Sequence, residues 1–139
     1  MILTRRDTLL LGAGAALAAT LPMPAMADAV ADLIAEFTGG ADVAEGGVDI
    51  DAPEIAENGN TVPIGVSAEG AESIMVLATG NPTPAVATFT FGPLAASQAG
   101  STRIRLAKTQ DVVAVAKMSD GSFKRASATV KVTIGGCGG

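Results

Sequence analysis

The hydrophobic pattern of this chain changes period twice. Leu9 to Leu21 is a nearly unbroken apolar run. Val30, Leu33, Ile34 and Phe37 then fall at i, i+3, i+4 and i+7, one face of an α-helix. The spacing predicts a short amphipathic helix over 28–37. Asp28 and Asp32 suit its positive N-terminal end, and Gly39-Gly40 stop it. So short a helix is marginal alone in water. Its stripe must dock on the rest of the chain or on a partner.

Beyond Gly40 the period becomes two. Val62, Ile64 and Val66 alternate with Pro63, Gly65 and Ser67, and Ile104 and Leu106 alternate with Arg103 and Arg105. The clearest pattern is the last. Ala126, Ala128, Val130, Val132 and Ile134 share one face, and Arg125, Ser127, Thr129, Lys131 and Thr133 share the other. Alternation of this kind marks strands with one buried face. Further strands are expected at 48–51, 73–79, 85–91 and 112–118. Asn58-Gly59-Asn60, Gly80-Asn81-Pro82, Gly92-Pro93 and Ser119-Asp120-Gly121 separate them, and Asp120-Gly121 is a hairpin turn signal. Roughly seven short strands without a long helix between them predict an all-β, immunoglobulin-like β-sandwich behind a short N-terminal helix. One run, Val112-Val113-Ala114-Val115-Ala116, does not alternate. It is expected to be covered on both faces, by the N-terminal helix, by a loop or by a second subunit.

Composition narrows the chemistry. The 139 residues are 48% hydrophobic but only 3% aromatic, without Trp or Tyr. The core is therefore expected to be Val, Ile, Ala and a few Phe. A net charge of −5 disfavours nucleic acid, whose phosphates would repel the domain. There is no His, which removes the commonest general base and transition-metal ligand. A Ser/His/Asp triad and a blue-copper site are excluded on that ground, and no cofactor is expected. Charge is also segregated: 28–72 carries acids without Lys or Arg, and bases dominate 103–131. The two halves either pair or stay solvated, or they form a docking surface that steers partners.

The N-terminus reads as an export signal. Arg5-Arg6 precede the apolar run, and Ala25-Met26-Ala27 offers a small-x-small cleavage site before Asp28. The run is too short and too rich in Gly and Ala for the roughly 20 apolar residues a membrane span needs. Export by the twin-arginine route to the periplasm is expected, where disulfides persist. The organisation expected is a cleaved signal over 1–27, the helix over 28–40, the sandwich over 46–134 and a glycine-rich, flexible arm over 135–139.

That arm holds the one cysteine, Cys137, between Gly135-Gly136 and Gly138-Gly139. It has no internal disulfide partner, and exposed free thiols are usually avoided on soluble surfaces. A reactive thiol on a tether is the reading that follows. Glycine lacks a Cβ, so the arm is narrow and conformationally free. Five extended residues reach at most about 17 Å, enough to thread a thiol into another protein's active site. No base or cation flanks Cys137, and a free thiol without such neighbours, with a pKa of about 8.5, is mostly protonated at neutral pH. The chain is thus expected to be a carrier acted on by enzymes. Prenylation would need the cysteine fourth from the end. A Gly-Gly thiocarboxylate, as in ubiquitin-like sulfur carriers, would need a cytoplasmic β-grasp protein. An interaction subunit that uses Cys137 only for a disulfide with a second copy remains the alternative.

The tail Val130-Lys131-Val132-Thr133-Ile134-Gly135-Gly136-Cys137-Gly138-Gly139 resembles the carboxyl terminus of the SoxY family, sulfur-carrier subunits of bacterial thiosulfate oxidation. The stretch from Pro53 through Glu54-Ile55-Ala56-Glu57-Asn58-Gly59 to Pro63 is similar to that family too. So are Ala87-Thr88-Phe89, Ser101-Thr102-Arg103-Ile104-Arg105-Leu106 and Met118-Ser119-Asp120-Gly121-Ser122-Phe123. The resemblance implies an immunoglobulin-like fold in a heterodimer with a SoxZ-like subunit that lacks its own export signal. It implies that Cys137 bears the covalent sulfur. The haem-containing SoxXA would load thiosulfate, the manganese hydrolase SoxB would release sulfate, and the sulfane dehydrogenase SoxCD would oxidise the remaining sulfane.

Overall fold

A computed structural model of the chain describes residues 26–133. They are mostly β-strand with one helix at the N-terminal side. The helix α1 is Met26–Thr38. The strands are β1 (Val43–Glu45), β2 (Asp49–Asp51), β3 (Ile55–Ala56), β4 (Val62–Ser67), β5 (Ala71–Ala78), β6 (Ala85–Thr90), β7 (Ala99–Ile104), β8 (Gln110–Met118) and β9 (Phe123–Val132). The larger sheet runs β1-β9-β8-β5-β6, with β3 also on β9, and the smaller runs β2-β4-β7. The alternating segment at 62–67 folds as a strand, that at 103–106 is strand only through Ile104, and that at 125–134 is strand through Val132, with Ile134 outside the described residues. The short β1 and β3 do not follow from the pattern, and both pair parallel with β9.

One cluster of buried residues joins the two sheets. Val62, Ile64 and Val66 of β4 and Ile104 of β7 meet Ile74 and Val76 of β5, Val112, Ala114 and Ala116 of β8, and Val130 of β9. Burying each Val or Ile side chain stabilises the fold by about 1.5–3 kcal/mol. With few aromatics, the layer is built from β-branched residues that fit a pleated surface. At one side the sheets come close: a Cβ on Gly100 would overlap the ring of Phe89, so only glycine fits there.

The non-alternating run of β8 is covered twice. Val112, Ala114 and Ala116 face the smaller sheet, and Val113 and Val115, with Met75 and Leu77, face α1. The helix presents Val30, Leu33, Ile34 and Phe37, the stripe read from its spacing. Of the possible covers, the chain's own helix is the one found. Phe37 meets Phe123 edge to face, with ring centroids 6.0 Å apart and planes at 72°, a favoured aromatic geometry. The helix ends at Gly39 and Gly40, with φ of 66° and 85°. Gly40 N donates to Ala35 O at 3.1 Å, so a left-handed cap satisfies a last-turn carbonyl. The stripe residues are only half-buried, and an open groove of about 520 Å³ remains beside α1.

The β8–β9 connection is the hairpin that Asp120-Gly121 signals. Gly121 has φ of 86°, and Met118 N donates to Ser122 O at 2.8 Å. Asp120 Oδ1 accepts from Ser122 Oγ at 2.6 Å and from Ser122 N at 2.9 Å. These bonds, the hydroxyl's first, hold the Asp120 carboxyl below its ordinary value of 3.8. Among the described residues, two ion pairs join the acidic and basic halves of the chain. Arg125 Nε lies 3.1 Å from Glu45, and Lys117 lies 3.8 Å from Glu72. The first is ionic contact only, because the buried Arg125 Nε has no hydrogen-bond acceptor. With the Glu45 and Glu72 carboxylates open to solvent, such pairs contribute at most about 1 kcal/mol.

Candidate functional site: the root of the C-terminal arm

Cys137 and its flanking Gly135, Gly136, Gly138 and Gly139 lie outside the described residues, as do Arg5 and Arg6. The structure does describe where the arm is attached, at the end of β9. The β8–β9 ladder closes with Gln110 opposite Val130. Continued in register, it would set Lys108 opposite Val132. The chain turns away instead, and the carbonyl of Lys108 accepts from Gln110 Nε2 at 2.9 Å. A side chain takes over the ladder's task. Val132 N donates to Thr109 Oγ1 at 2.9 Å, and that hydroxyl donates to Val132 O at 3.4 Å.

The opposite edge of β9 is held by β3 and the residues beside it. Lys131 N donates to Glu54 O at 2.9 Å, and Thr133 N donates to Ala56 O at 3.1 Å. The Thr133 hydroxyl adds contacts of 3.5 Å to the carbonyls of Ala56 and Glu57. Three successive backbone N–H groups, at Lys131, Val132 and Thr133, therefore all have partners, on alternating edges. The backbone is bonded on both sides up to the residue before Ile134.

Two buried amides hold the segment that carries Thr109. Asn81 Nδ2 donates to Arg105 O at 2.6 Å, and Asn81 Oδ1 accepts from Ala107 N and from Gln110 Nε2, each at 2.9 Å. Gln110 Oε1 accepts from Gly80 N at 2.8 Å. Asn81 and Gln110 are 8% and 7% exposed, so little water can compensate them and these bonds are obligatory. Leu106 N donates to Gly59 O at 2.8 Å, with the Leu106 side chain fully buried. Residues 105–110 are thus fixed by side-chain amides and one core leucine.

Thr109, Asn81 and Gln110 were not legible as functional from the sequence, where Gly80-Asn81-Pro82 reads as a turn signal. The available hint was a pair of amides, Asn81 and Gln110, next to strands that are otherwise apolar. Among the described residues, no three His, Cys, Asp or Glu gather in a metal-binding group. No helix among them is long and apolar enough to cross a membrane.

By class, this is a predominantly β protein whose last strand leads into a glycine-flanked thiol. The family described as sulfur oxidation protein SoxY matches residues 34–137, a span that includes Gly135, Gly136 and Cys137. The chain is similar to the solved sulfur carrier protein SoxY from Chlorobium limicola f thiosulfatophilum. Identity is 39% over 78% of this chain and 99% of that one, with a TM-score of 0.68. This chain belongs to the SoxY family. Among curated proteins, none matches. Superoxide reductase (neelaredoxin) from Ignicoccus hospitalis is 18% identical, over 63% of this chain and 80% of that one, with a TM-score of 0.55. A hypothetical protein from Pyrococcus horikoshii OT3 is 11% identical, over 68% and 96%, with a TM-score of 0.53. These last two likenesses concern the fold alone.

Proposed function

We propose that this chain is a sulfur carrier, acted on by partner enzymes, that holds thiosulfate-derived sulfur covalently on Cys137. The observation that carries this reading is the family match, which runs through the glycine-flanked thiol itself. The chemistry of the arm supports it. A thiol without side chains on either flank meets the least steric resistance in a narrow channel.

Loading joins the Cys137 thiolate to the outer sulfur of thiosulfate. One S–S bond forms, and two electrons leave to the haem-containing SoxXA. The product is Cys137–S–S–SO₃⁻. Hydrolysis by the manganese enzyme SoxB breaks the bond between sulfane sulfur and sulfonate. Water supplies the fourth sulfate oxygen, two protons are released, and a persulfide remains on Cys137. SoxCD, where present, oxidises that sulfane. In this reading the fold is an immunoglobulin-like β-sandwich over 46–134 behind a helix over 28–40, paired with a SoxZ-like subunit. Residues 1–27, with Arg5 and Arg6, are a twin-arginine signal that delivers the pair to the periplasm, and 135–139 are the swinging arm.

The test is intact-mass analysis of the mature protein after thiosulfate and the partner enzymes, with and without reductant. A reductant-labile sulfur or sulfonate addition on the C-terminal peptide is expected. Cys137→Ser abolishes it while folding and partner binding persist. A clean thiol, or only a Cys137–Cys137 dimer, overturns the carrier reading in favour of an interaction subunit.

A further inference from the structure

We infer that Thr109 is a positioning residue for the carrier arm: its hydroxyl replaces the missing rung of the β8–β9 ladder and fixes the point and direction in which the arm leaves. The inference rests on the carrier reading and adds to it a residue outside the arm. It stands on the geometry at Val132. Register would put the backbone of Lys108 there, yet that backbone is engaged by Gln110. The Thr109 side chain meets both the N–H and the C=O of Val132.

Without that hydroxyl, only β3 and its flanks would hold Lys131 to Thr133. β3 is two residues long and is itself a single strand at the edge of β9. So short a parallel pairing frays readily. Thr109 is in turn held by the Asn81–Gln110 amides, which are buried and cannot relax into water. A rigid support thus ends in one exposed hydroxyl that grips the last rung before the arm.

The arm's working length depends on where the grip ends. With Thr133 fixed, four residues lead from Ile134 to Cys137. With the strand end released at Lys131, seven do. The effective concentration of a tethered group falls roughly as the −3/2 power of tether length, so release lowers it about two- to threefold.

Thr109→Val keeps the shape and removes the donor and acceptor. Thr109 is exposed, so the fold should tolerate the change, and Thr109→Ser should restore the grip. Three measurements are made on the mature protein with its partner subunit. They are amide exchange at Val132, kcat/KM for enzymatic loading of thiosulfate, and the rate of Cys137 with a small disulfide reagent. In Thr109→Val, exchange at Val132 accelerates at least tenfold. Loading falls about two- to threefold, through KM, and the small-reagent rate stays unchanged. Insertion of three glycines after Ile134 gives the same loading defect with Thr109 intact, which covers a failure of Thr109→Val to fold. Unchanged loading in both variants overturns the inference, as does unchanged exchange at Val132 in Thr109→Val. If wild-type Cys137 takes up no sulfur at all, the carrier reading itself fails and takes this inference with it; that outcome is visible before any variant is compared.

Discussion

At Phe123, where β9 begins, backbone closes on backbone. The Asp120-Gly121 turn returns the chain in register, β1 pairs along the outer edge, and Phe37 of α1 rests against the Phe123 ring. At Val132, where the same strand ends, side chains do the holding. A threonine hydroxyl completes one edge, and two buried amides fix the segment that supplies it. The first end starts from a local turn, on which β1 and Phe37 then close. The second is assembled from residues far apart in the chain, 81, 109, 110 and 132. It can be altered by one surface substitution without opening the core.

The difference can be tested at three depths. Phe123→Ala should have the largest effect on stability. Deleting a ring that is 8% exposed costs about 3 kcal/mol and lowers Tm by on the order of 10 °C. The helix should loosen, and amide protection at Lys131 to Thr133 should outlast it. Should those amides be the first to exchange, the two ends are not independent. Asn81→Ala should cost less, about 1–3 kcal/mol, because Ala107 N and one Gln110 Nε2 proton lose an acceptor. Here exchange should rise at Ala107 and Val132 while the hairpin amides keep their protection.

The smallest effect lies at the hairpin. The Asp120 carboxyl is held below its ordinary 3.8 in the folded state. Its contribution to stability is therefore complete above that value and is lost as pH falls through the lower folded one. An NMR titration should place the Asp120 midpoint below 3.8, and Ser122→Ala should move it back up. A midpoint that ignores Ser122 would deny the hydroxyl its role.

Much of the fold could be read from side-chain period. The stripe Val30, Leu33, Ile34 and Phe37 docks as its spacing implies. The alternation through Ala126, Val130 and Val132 gives β9 its inner face. The Asp120-Gly121 turn forms where expected. β1 and β3 were not legible, because two or three residues carry no period and their partner β9 lies more than seventy residues away. The cover on the outer face of β8 stayed open between helix, loop and second subunit, since an apolar run records burial but not what does the burying. The site was legible in its chemistry and not in its support. Cys137 between glycines is a local pattern. The function of Thr109 depends on the β8–β9 register, and nothing in its neighbours announces that.

The length of β9 has a consequence for traffic on the carrier. Ten residues at roughly 3.3 Å each make a spar about 30 Å long, with the Asp120-Gly121 turn and Phe37 of α1 at one tip and the thiol's tether at the other. From Thr133 the thiol travels at most about 14 Å, so any enzyme that services it must sit at the far tip. A permanent companion seated at the Phe123 tip would leave that berth vacant, and successive visitors could come and go without dislodging it.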